Sequence, residues 1–334
     1  MCASRLDDRD ETLLALLRQA GELPCSGAEI GRALGISRAG VWKRIERLRQ
    51  AGFQVEAIHR QGYRLVAESD FPSLERMQPH LAADALFNPH YLKLFSETDS
   101  TNRQLAQLAR SGAPEGSLCC AEVQTQGRGR LQRSWYSAAG DNLTFSLLLR
   151  PEMAPGKASQ ITLLAGLALA ESLRHTFQVG GLQLKWPNDI LLHGRKCAGI
   201  LTEMAAEPEQ VEYVIVGVGI NVNGDGSHFP EEIQQTATTI EMIKGSRISR
   251  SALLAHFLNR MGYWYQRYMA EGFEALRQPW LEHADIAGRR VRINLHKEQF
   301  EATAEALDEE GFLLVKRDGG ERERVIAGDV ALLS

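Results

Sequence analysis

The sequence predicts an α/β protein of the α+β kind in three parts: a winged helix-turn-helix, a body mixing strands with helices, and a small β-barrel. Three observations carry this. Within residues 1–66, two short helical patterns separated by a glycine turn lead into an alternating hairpin. Residues 81–283 interleave short apolar runs with longer helical stripes. From about residue 287 only short alternating segments remain, punctuated by Gly311 and Gly319-Gly320. At 334 residues, with 44% hydrophobic and 24% charged side chains, the chain can build two or three cored domains and is not disordered.

Leu13, Leu14, Leu16 and Leu17 give the first helical stripe. Ser26 precedes Glu29 by three residues, a capping box that starts a second helix through Leu34, and Gly35 makes the turn. Ser37 caps a third helix over 38–50. Val41, Ile45 and Leu48 face inward there, and Arg38, Lys43, Arg44, Arg47 and Arg49 face out. In a helix-turn-helix the later helix enters the major groove of DNA. Gly52 ends the helix, and 53–66 alternates around Arg60-Gln61-Gly62 as a wing. The charge agrees in sign. Residues 1–66 hold 11 Lys+Arg against 8 Asp+Glu, net +3, while the remainder holds 27 against 34, net −7. A plain three-helix module with a solvated basic face is the competing reading.

Residues 67–80, with Pro72 and Pro79, read as a linker. A strand over 91–95 leads to Asp99-Ser100-Thr101-Asn102, whose short polar side chains can cap the helix that follows. The strand over 118–123 contains Cys119 and Cys120, read as buried filler and not as a redox pair. Next comes Gln126-Gly127-Arg128-Gly129-Arg130, closed by Trp135. Glycine lets backbone approach a ligand, and arginine offers a charged fork for phosphate or carboxylate, so this loop suits closure over an anion. A strand over 142–149, a core helix over 158–177 and a strand over 182–185 precede Lys185-Trp186-Pro187-Asn188-Asp189. Trp186-Pro187 is expected to be a rigid packed turn. Arg195-Lys196-Cys197-Ala198-Gly199-Ile200 follows. A strand over 211–216 is expected to end in Gly217-Val218-Gly219, ahead of Ile220-Asn221-Val222-Asn223. That Gly-x-Gly opens no helix, so it is not a dinucleotide fingerprint. Residues 224–227 are a flexible loop or a plain turn. A helix over 250–269 carries Tyr263, Trp264, Tyr265 and Tyr268, a core or interface cluster. Strands are expected over 290–295, 299–307, 312–316 and 324–333.

Five cysteines without regular spacing exclude a disulfide framework and a zinc signature, and no metal ligands are assigned. The N-terminus is acidic and arginine-containing, unlike a signal peptide. No stretch of about 18 apolar residues predicts a membrane helix, and a reducing cytoplasm is the simplest compartment.

The Gly-Arg-Gly-Arg loop, the Lys-Trp-Pro-Asn-Asp segment, the Arg-Lys-x-Ala-Gly-Ile segment and the Gly-Val-Gly-Ile-Asn segment, in this order and spacing, resemble the bifunctional biotin–protein ligases that also act as biotin operon repressors. The resemblance spans essentially the whole chain and includes the wing ending Gly62-Tyr63-Arg64-Leu65. It implies a winged helix-turn-helix over 1–66, a mixed-sheet ligase domain of the biotin/lipoate type over 81–283 and an SH3-like barrel over 284–334. It implies activation of biotin with MgATP to biotinyl-5′-adenylate, transfer to a lysine of the biotin carboxyl carrier protein of acetyl-CoA carboxylase, and repression by an adenylate-bound homodimer on operator DNA. By the same resemblance, Ser100, Thr101, Asn102, Gln124, Gly127, Arg128, Lys196 and Gly199 bind biotin. Arg128, Arg130, Trp135, Lys185, Asn188, Asp189, Asn221 and Asn223 meet ATP or the adenylate. Arg128, Arg130, Lys185 and Lys196 are the catalytic cations, Lys196 touching both carboxylate and phosphate. Ser37, Arg38, Lys43, Arg44, Arg47 and the wing residue Arg60 face DNA. Gln132 departs from the pattern, standing where a third loop glycine is expected. Two alternatives stay open: a lipoate–protein ligase, which shares fold and chemistry, and a biotin-sensing regulator without catalysis. The loop and winged helix favour biotin, and the intact Arg128 and Lys196 favour an enzyme.

Overall fold

Asp7 and Ser26 each hold a capping box at the start of a helix, so the first two helices begin where their side chains satisfy free backbone N–H groups. In the computed structural model, which describes residues 7–50, 53–295 and 298–333, helices α1 (Asp8–Ala20), α2 (Gly27–Leu34) and α3 (Arg38–Gln50) enclose Leu13, Leu17, Ile30, Val41, Ile45 and Leu48. Ser37 Oγ accepts from Gly40 N at 3.2 Å, capping α3 as expected. Gly52, the expected stop of α3, lies outside the described residues. The wing is an antiparallel pair, β1 (Gln54–Ile58) and β2 (Gly62–Ala67). It is tied back by Cys25, which exchanges backbone hydrogen bonds of 2.8 and 2.9 Å with Tyr63. Gly62 sits at φ +130°, and a Cβ there would stand 1.9 Å from the Cys25 carbonyl oxygen. Gly62→Ala is therefore expected to unseat the wing and lower the melting temperature of the N-terminal module, followed by circular dichroism. An unchanged transition would contradict this packing.

The basic face is narrower than the sequence suggests. Arg44 pairs with Asp7 and Asp10 at 2.6 Å each, and Arg47 with Asp10 at 2.9 Å and Asp7 at 3.1 Å. Asp10 is fully buried. These two arginines clamp α3 to α1, because a buried carboxylate requires a partnered cation. Arg44 holds the Asp7 carboxyl well below the usual carboxylate range. Arg49 donates to the Val55 carbonyl at 2.6 and 2.9 Å. Ser37, Arg38, Lys43 and Arg60 remain exposed.

Residues 67–80, the expected linker, are packed against the body. Helix α4 (Leu74–Met77) buries Met77 completely in the body's core. Asp70 accepts from Arg250 Nε at 2.6 Å, and the buried Arg250 also meets the buried Glu122 at 2.8 Å. Burial raises the Glu122 carboxyl pKa, against the pull of Arg250.

The body is a seven-stranded mixed sheet ordered β3-β4-β5-β9-β8-β7-β6. Its strands are β3 (Leu92–Thr98), β4 (Leu118–Gln124), β5 (Asn142–Leu149), β6 (Leu182–Lys185), β7 (Asp189–Leu192), β8 (Arg195–Ala206) and β9 (Val211–Asn221). Among the described residues, β3–β4 is the one parallel pair of this sheet. Helix α5 (Thr101–Arg110) covers one face with Leu105 and Ala109 against Cys119, Leu148 and Ile215. The opposite face buries Cys120 and Leu147 under α6 (Ala158–Glu171) and α9 (Arg250–Glu271). Cys119 and Cys120 thus point to opposite faces, as strand alternation requires. Burial pushes the Cys119 thiol up to about 12 and Cys120 well above its usual value, which suits filler. The expected 158–177 helix is real but ends in a wider π turn over Ser172–Thr176. Two short helices, α7 (Glu231–Gln234) and α8 (Ile240–Lys244), follow β9. Of the aromatic cluster on α9, Trp264, Tyr265 and Tyr268 are core, and Tyr263 is exposed. Helix α10 (Glu274–Ala284) then crosses under the sheet with Leu276 and Trp280 buried.

The C-terminal strands β10 (Arg290–Asn294), β11 (Gln299–Leu307), β12 (Leu313–Lys316), β13 (Arg322–Val325) and β14 (Asp329–Leu332) form an antiparallel sheet ordered β13-β12-β11-β10-β14. The expected barrel is not closed by a ladder: among the described residues β13 and β14 are opposite edges. The strand expected over 324–333 breaks at Gly328 (φ +139°), which turns β14 across to pair with β10. Val291, Ile293, Leu313 and Val315 join the body's apolar cluster, and Trp186 Nε1 donates to the Gly311 carbonyl at 3.1 Å. The Trp186 turn is thus packed, as expected. No described helix is long and apolar enough to cross a membrane.

Candidate active site

One cavity of about 260 Å³ opens over the middle of the sheet, and it gathers most of the residues the sequence singled out. Its wall includes Ser100, Thr101, Asn102, Gln124, Arg128, Arg130, Trp135, Asn188, Asp189, Lys196, Gly199 and Asn221. Gly127 lies just behind it, buried, and its carbonyl accepts from Trp135 N at 2.9 Å.

The start of α5 supplies a polar shelf. Ser100 occupies the N-cap position, but its side chain makes no capping bond. Gln124 Oε1 accepts from Thr101 N at 2.8 Å and Thr101 Oγ1 at 3.1 Å. Ser146 Oγ donates to Asn102 Oδ1 at 2.6 Å and lies 2.7 Å from Thr101 Oγ1. Asn102 Nδ2 donates to Glu203 Oε2 at 2.6 Å. This shelf fixes amide and hydroxyl groups of both donor and acceptor kind, which suits a small planar ligand carrying both.

Two glycines shape the floor. Strand β9 does not end in Gly217-Val218-Gly219 as expected but runs through it to Asn221. The reason is close approach. A Cβ on Gly217 would stand 2.2 Å from Asn102 Oδ1, and one on Gly219 would stand 2.2 Å from Trp135 Cε2. The strand stays bare so that a shelf residue and the loop tryptophan can lie across it.

The cations come from three segments. Lys196, near the start of β8, lies 2.7 Å from Asp189 on β7 and over the Trp135 ring at 5.9 Å. Arg128 pairs with Glu203 at 3.2 Å, and Arg130 donates to Asn188 Oδ1 at 3.1 Å. Burial lowers the Arg130 guanidinium pKa, opposed by Asp329 and Asp189. Trp135 Nε1 is buried without a hydrogen-bond partner, an unused donor in the cavity wall. In the loop, Leu131 (φ +53°) and Gln132 (φ +59°) are both left-handed. The position where a glycine was expected is thus one where the backbone favours glycine, at a cost of roughly 1–2 kcal/mol for other residues.

Besides Gly127, which lies behind the wall, two expected residues are not brought in. Lys185 ends β6, paired in register with Asp189, and does not line the cavity. Asn223 is buried away from it: its amide accepts from Ile248 N and donates to the Ile248 carbonyl, both at 3.1 Å, and so serves to pin the chain after β9. The sequence pattern does not single out Ser134, Tyr136, Phe145, Ile233, Thr236, Ala237 and Asp329, which also line the cavity. Thr236 and Ala237 reach the site because residues 236–238 pair with Lys196, whose N–H donates to Thr236 O at 2.7 Å. Asp329 arrives from the C-terminal sheet, tied to Arg133 at 2.5 Å. Neither segment carries a local pattern that would reveal it.

The chain matches the model of the biotin/lipoate A/B protein ligase family over residues 94–221, a helix-turn-helix domain over 9–64 and the biotin protein ligase C-terminal domain over 286–333. It is 38% identical to the bifunctional ligase/repressor BirA of Bacillus subtilis, covering 96% of this chain and 97% of that protein. It is 30% identical to BirA of Escherichia coli, covering 92% of each. Among solved structures it is similar to the Aquifex aeolicus biotin protein ligase in complex with biotin and ATP, with 30% identity, a TM-score of 0.62, and coverage of 72% of this chain and 98% of that one. Matched along nearly its whole length by such relatives, the chain belongs to the biotin/lipoate A/B protein ligase family, on the branch of the bifunctional ligase/repressors.

Proposed function

We propose that the cavity activates biotin with MgATP and that the chain passes the biotinyl group to a lysine of the biotin carboxyl carrier protein of acetyl-CoA carboxylase. The observation that carries this is the meeting of Lys196, Arg128 and Arg130 in one cavity with the Ser100–Thr101–Asn102–Gln124 shelf. In the first step a biotin carboxylate oxygen attacks the α-phosphorus, and the bond to pyrophosphate breaks. Two anions must approach, and charge builds on the phosphoryl oxygens, so cations fixed at the junction lower the barrier. In the second step the neutral ε-amine of the acceptor attacks the acyl carbon and AMP leaves, carrying the bonding pair. The protein forms no covalent bond; it positions and neutralises. Magnesium comes with ATP, and the cavity's carboxylates, Asp189 and Asp329, are oxygen donors of the type it takes. When acceptor is scarce, the adenylate-bound chain dimerises and represses biotin-synthesis genes through its helix-turn-helix, in the cytoplasm.

Incubating the protein with MgATP and either biotin or lipoate, with mass spectrometry of the products, tests this. Biotinyl-adenylate is expected. Lipoyl-adenylate would move the chain to the lipoate side of the family, and biotin bound without product would leave a sensor. The floor gives a second test. Gly217→Ala drives a methyl into Asn102, so the KM for biotin should rise at least tenfold in a steady-state pyrophosphate assay with little change in the KM for ATP. An unaltered KM for biotin would place the ligand elsewhere.

A further inference from the structure

Away from the cavity, Glu171, His175 and His283 converge where α6 passes into its π turn beside α10. One ligand atom from each lies within 4.8 Å of the others. We propose that these three side chains form a divalent metal site suited to Zn2+, with water completing the shell.

The backbone explains the convergence. Glu171 ends α6, and His175 follows four residues later within the π turn, on the same side of the helix. π turns occur often at functional positions. His283 comes from α10, and its ring already meets that of His175 edge-on with centroids 6.5 Å apart, so a bound ion would bridge the two helices. His283 is only 8% exposed, yet its Nδ1 has no hydrogen-bond partner. A buried imidazole nitrogen without a partner is costly unless something occupies it.

Glu171 is held as a ligating carboxylate is usually held. Its Oε2 accepts from Trp264 Nε1 at 3.1 Å and lies 3.4 Å from Arg260. Two imidazoles, one carboxylate and an open position are a zinc set, and the borderline-soft nitrogen donors disfavour magnesium and calcium. Ligands about 2.0–2.1 Å from a tetrahedral ion stand closer together than 4.8 Å, so the site must contract on binding. His175 is exposed and can supply that movement. Arg174 and Arg260 oppose a cation here, so the two imidazoles and the carboxylate must outweigh that repulsion for an ion to stay.

The test is a Zn2+ titration of the full metal-free chain by isothermal calorimetry, in parallel with His175→Ala and His283→Ala. One equivalent is expected to bind the parent, and each variant should bind at least tenfold more weakly. Zinc should also raise the melting temperature of the parent and not of His175→Ala. Because His175 is exposed, its truncation leaves the fold intact, which keeps that comparison clean if His283→Ala misfolds. Absence of stoichiometric binding, or equal binding by parent and His175→Ala, would overturn the site. Neither readout depends on ligase activity.

Discussion

Lys196→Ala is expected to slow biotinyl-adenylate formation by about 10²–10³-fold, the loss seen when one fixed stabiliser of transition-state charge is removed. Three features single out this lysine. Its ammonium is 2.7 Å from Asp189, which anchors it, and it lies over the Trp135 ring, which shields one side. It also stands on a strand, not on the loop that carries Arg128 and Arg130, so its position does not wait for loop closure. Biotin affinity should change less, within about tenfold, since the shelf residues remain and only the charge proposed to face the reacting carboxylate is removed. Pyrophosphate release under single-turnover conditions separates the two effects. A variant that adenylates at the parent rate would remove Lys196 from the centre of the reaction. Arg128→Ala offers the contrast. Its partner Glu203 also accepts from Asn102, so losing Arg128 frees a carboxylate that holds the shelf, and both affinity and rate should fall.

The site was legible where chemistry leaves a local pattern. The Gly-Arg-Gly-Arg loop, the hydroxyls opening α5 and the Lys196 segment all reach one cavity. It was illegible where function comes from register. Gly217 and Gly219 read as a strand end, because glycine within a strand and glycine after one look alike in sequence. Only Asn102 and Trp135, brought from far along the chain, explain them. Thr236, Ala237 and Asp329 share that origin. In the fold, the apolar strands and the capped helices were plain because local propensity and packing agree. Helix α10 was hidden by Pro279, a residue that argues against a helix interior, and is carried by the burial of Leu276 and Trp280. Within the expected linker, the Asp70–Arg250 pair, 180 residues apart in sequence, is another contact that no local pattern announces.

Deleting residues 1–66 should abolish binding to DNA from the control region of the biotin-synthesis genes and leave ligation measurable. The N-terminal apolar cluster is separate from that of the body, so its removal opens no cavity there. The cut also falls before Asp70, which keeps its bond to Arg250. Some ligation will be lost, because the wing touches the body. With its amide oxygen toward Arg247, Gln54 accepts from that guanidinium at 3.0 and 3.2 Å, and Arg247 in turn donates to the Gly140 carbonyl at 2.9 Å. Point variants sharpen the assignment. Arg38 and Lys43 are exposed on α3, whereas Arg44 and Arg47 are spent on Asp7 and the buried Asp10. Arg38→Ala with Lys43→Ala should weaken DNA binding without changing the melting temperature. It should also flatten the salt dependence, since each phosphate no longer neutralised means about one counterion fewer released. Arg44→Ala should instead lower the melting temperature, because it strips a cation from a carboxylate that cannot reach water. Retained DNA binding after the deletion would refute the helix-turn-helix as the operator-binding surface. A double variant with the parent's salt slope would shift that surface from α3 to the wing, where Arg60 is exposed on the turn.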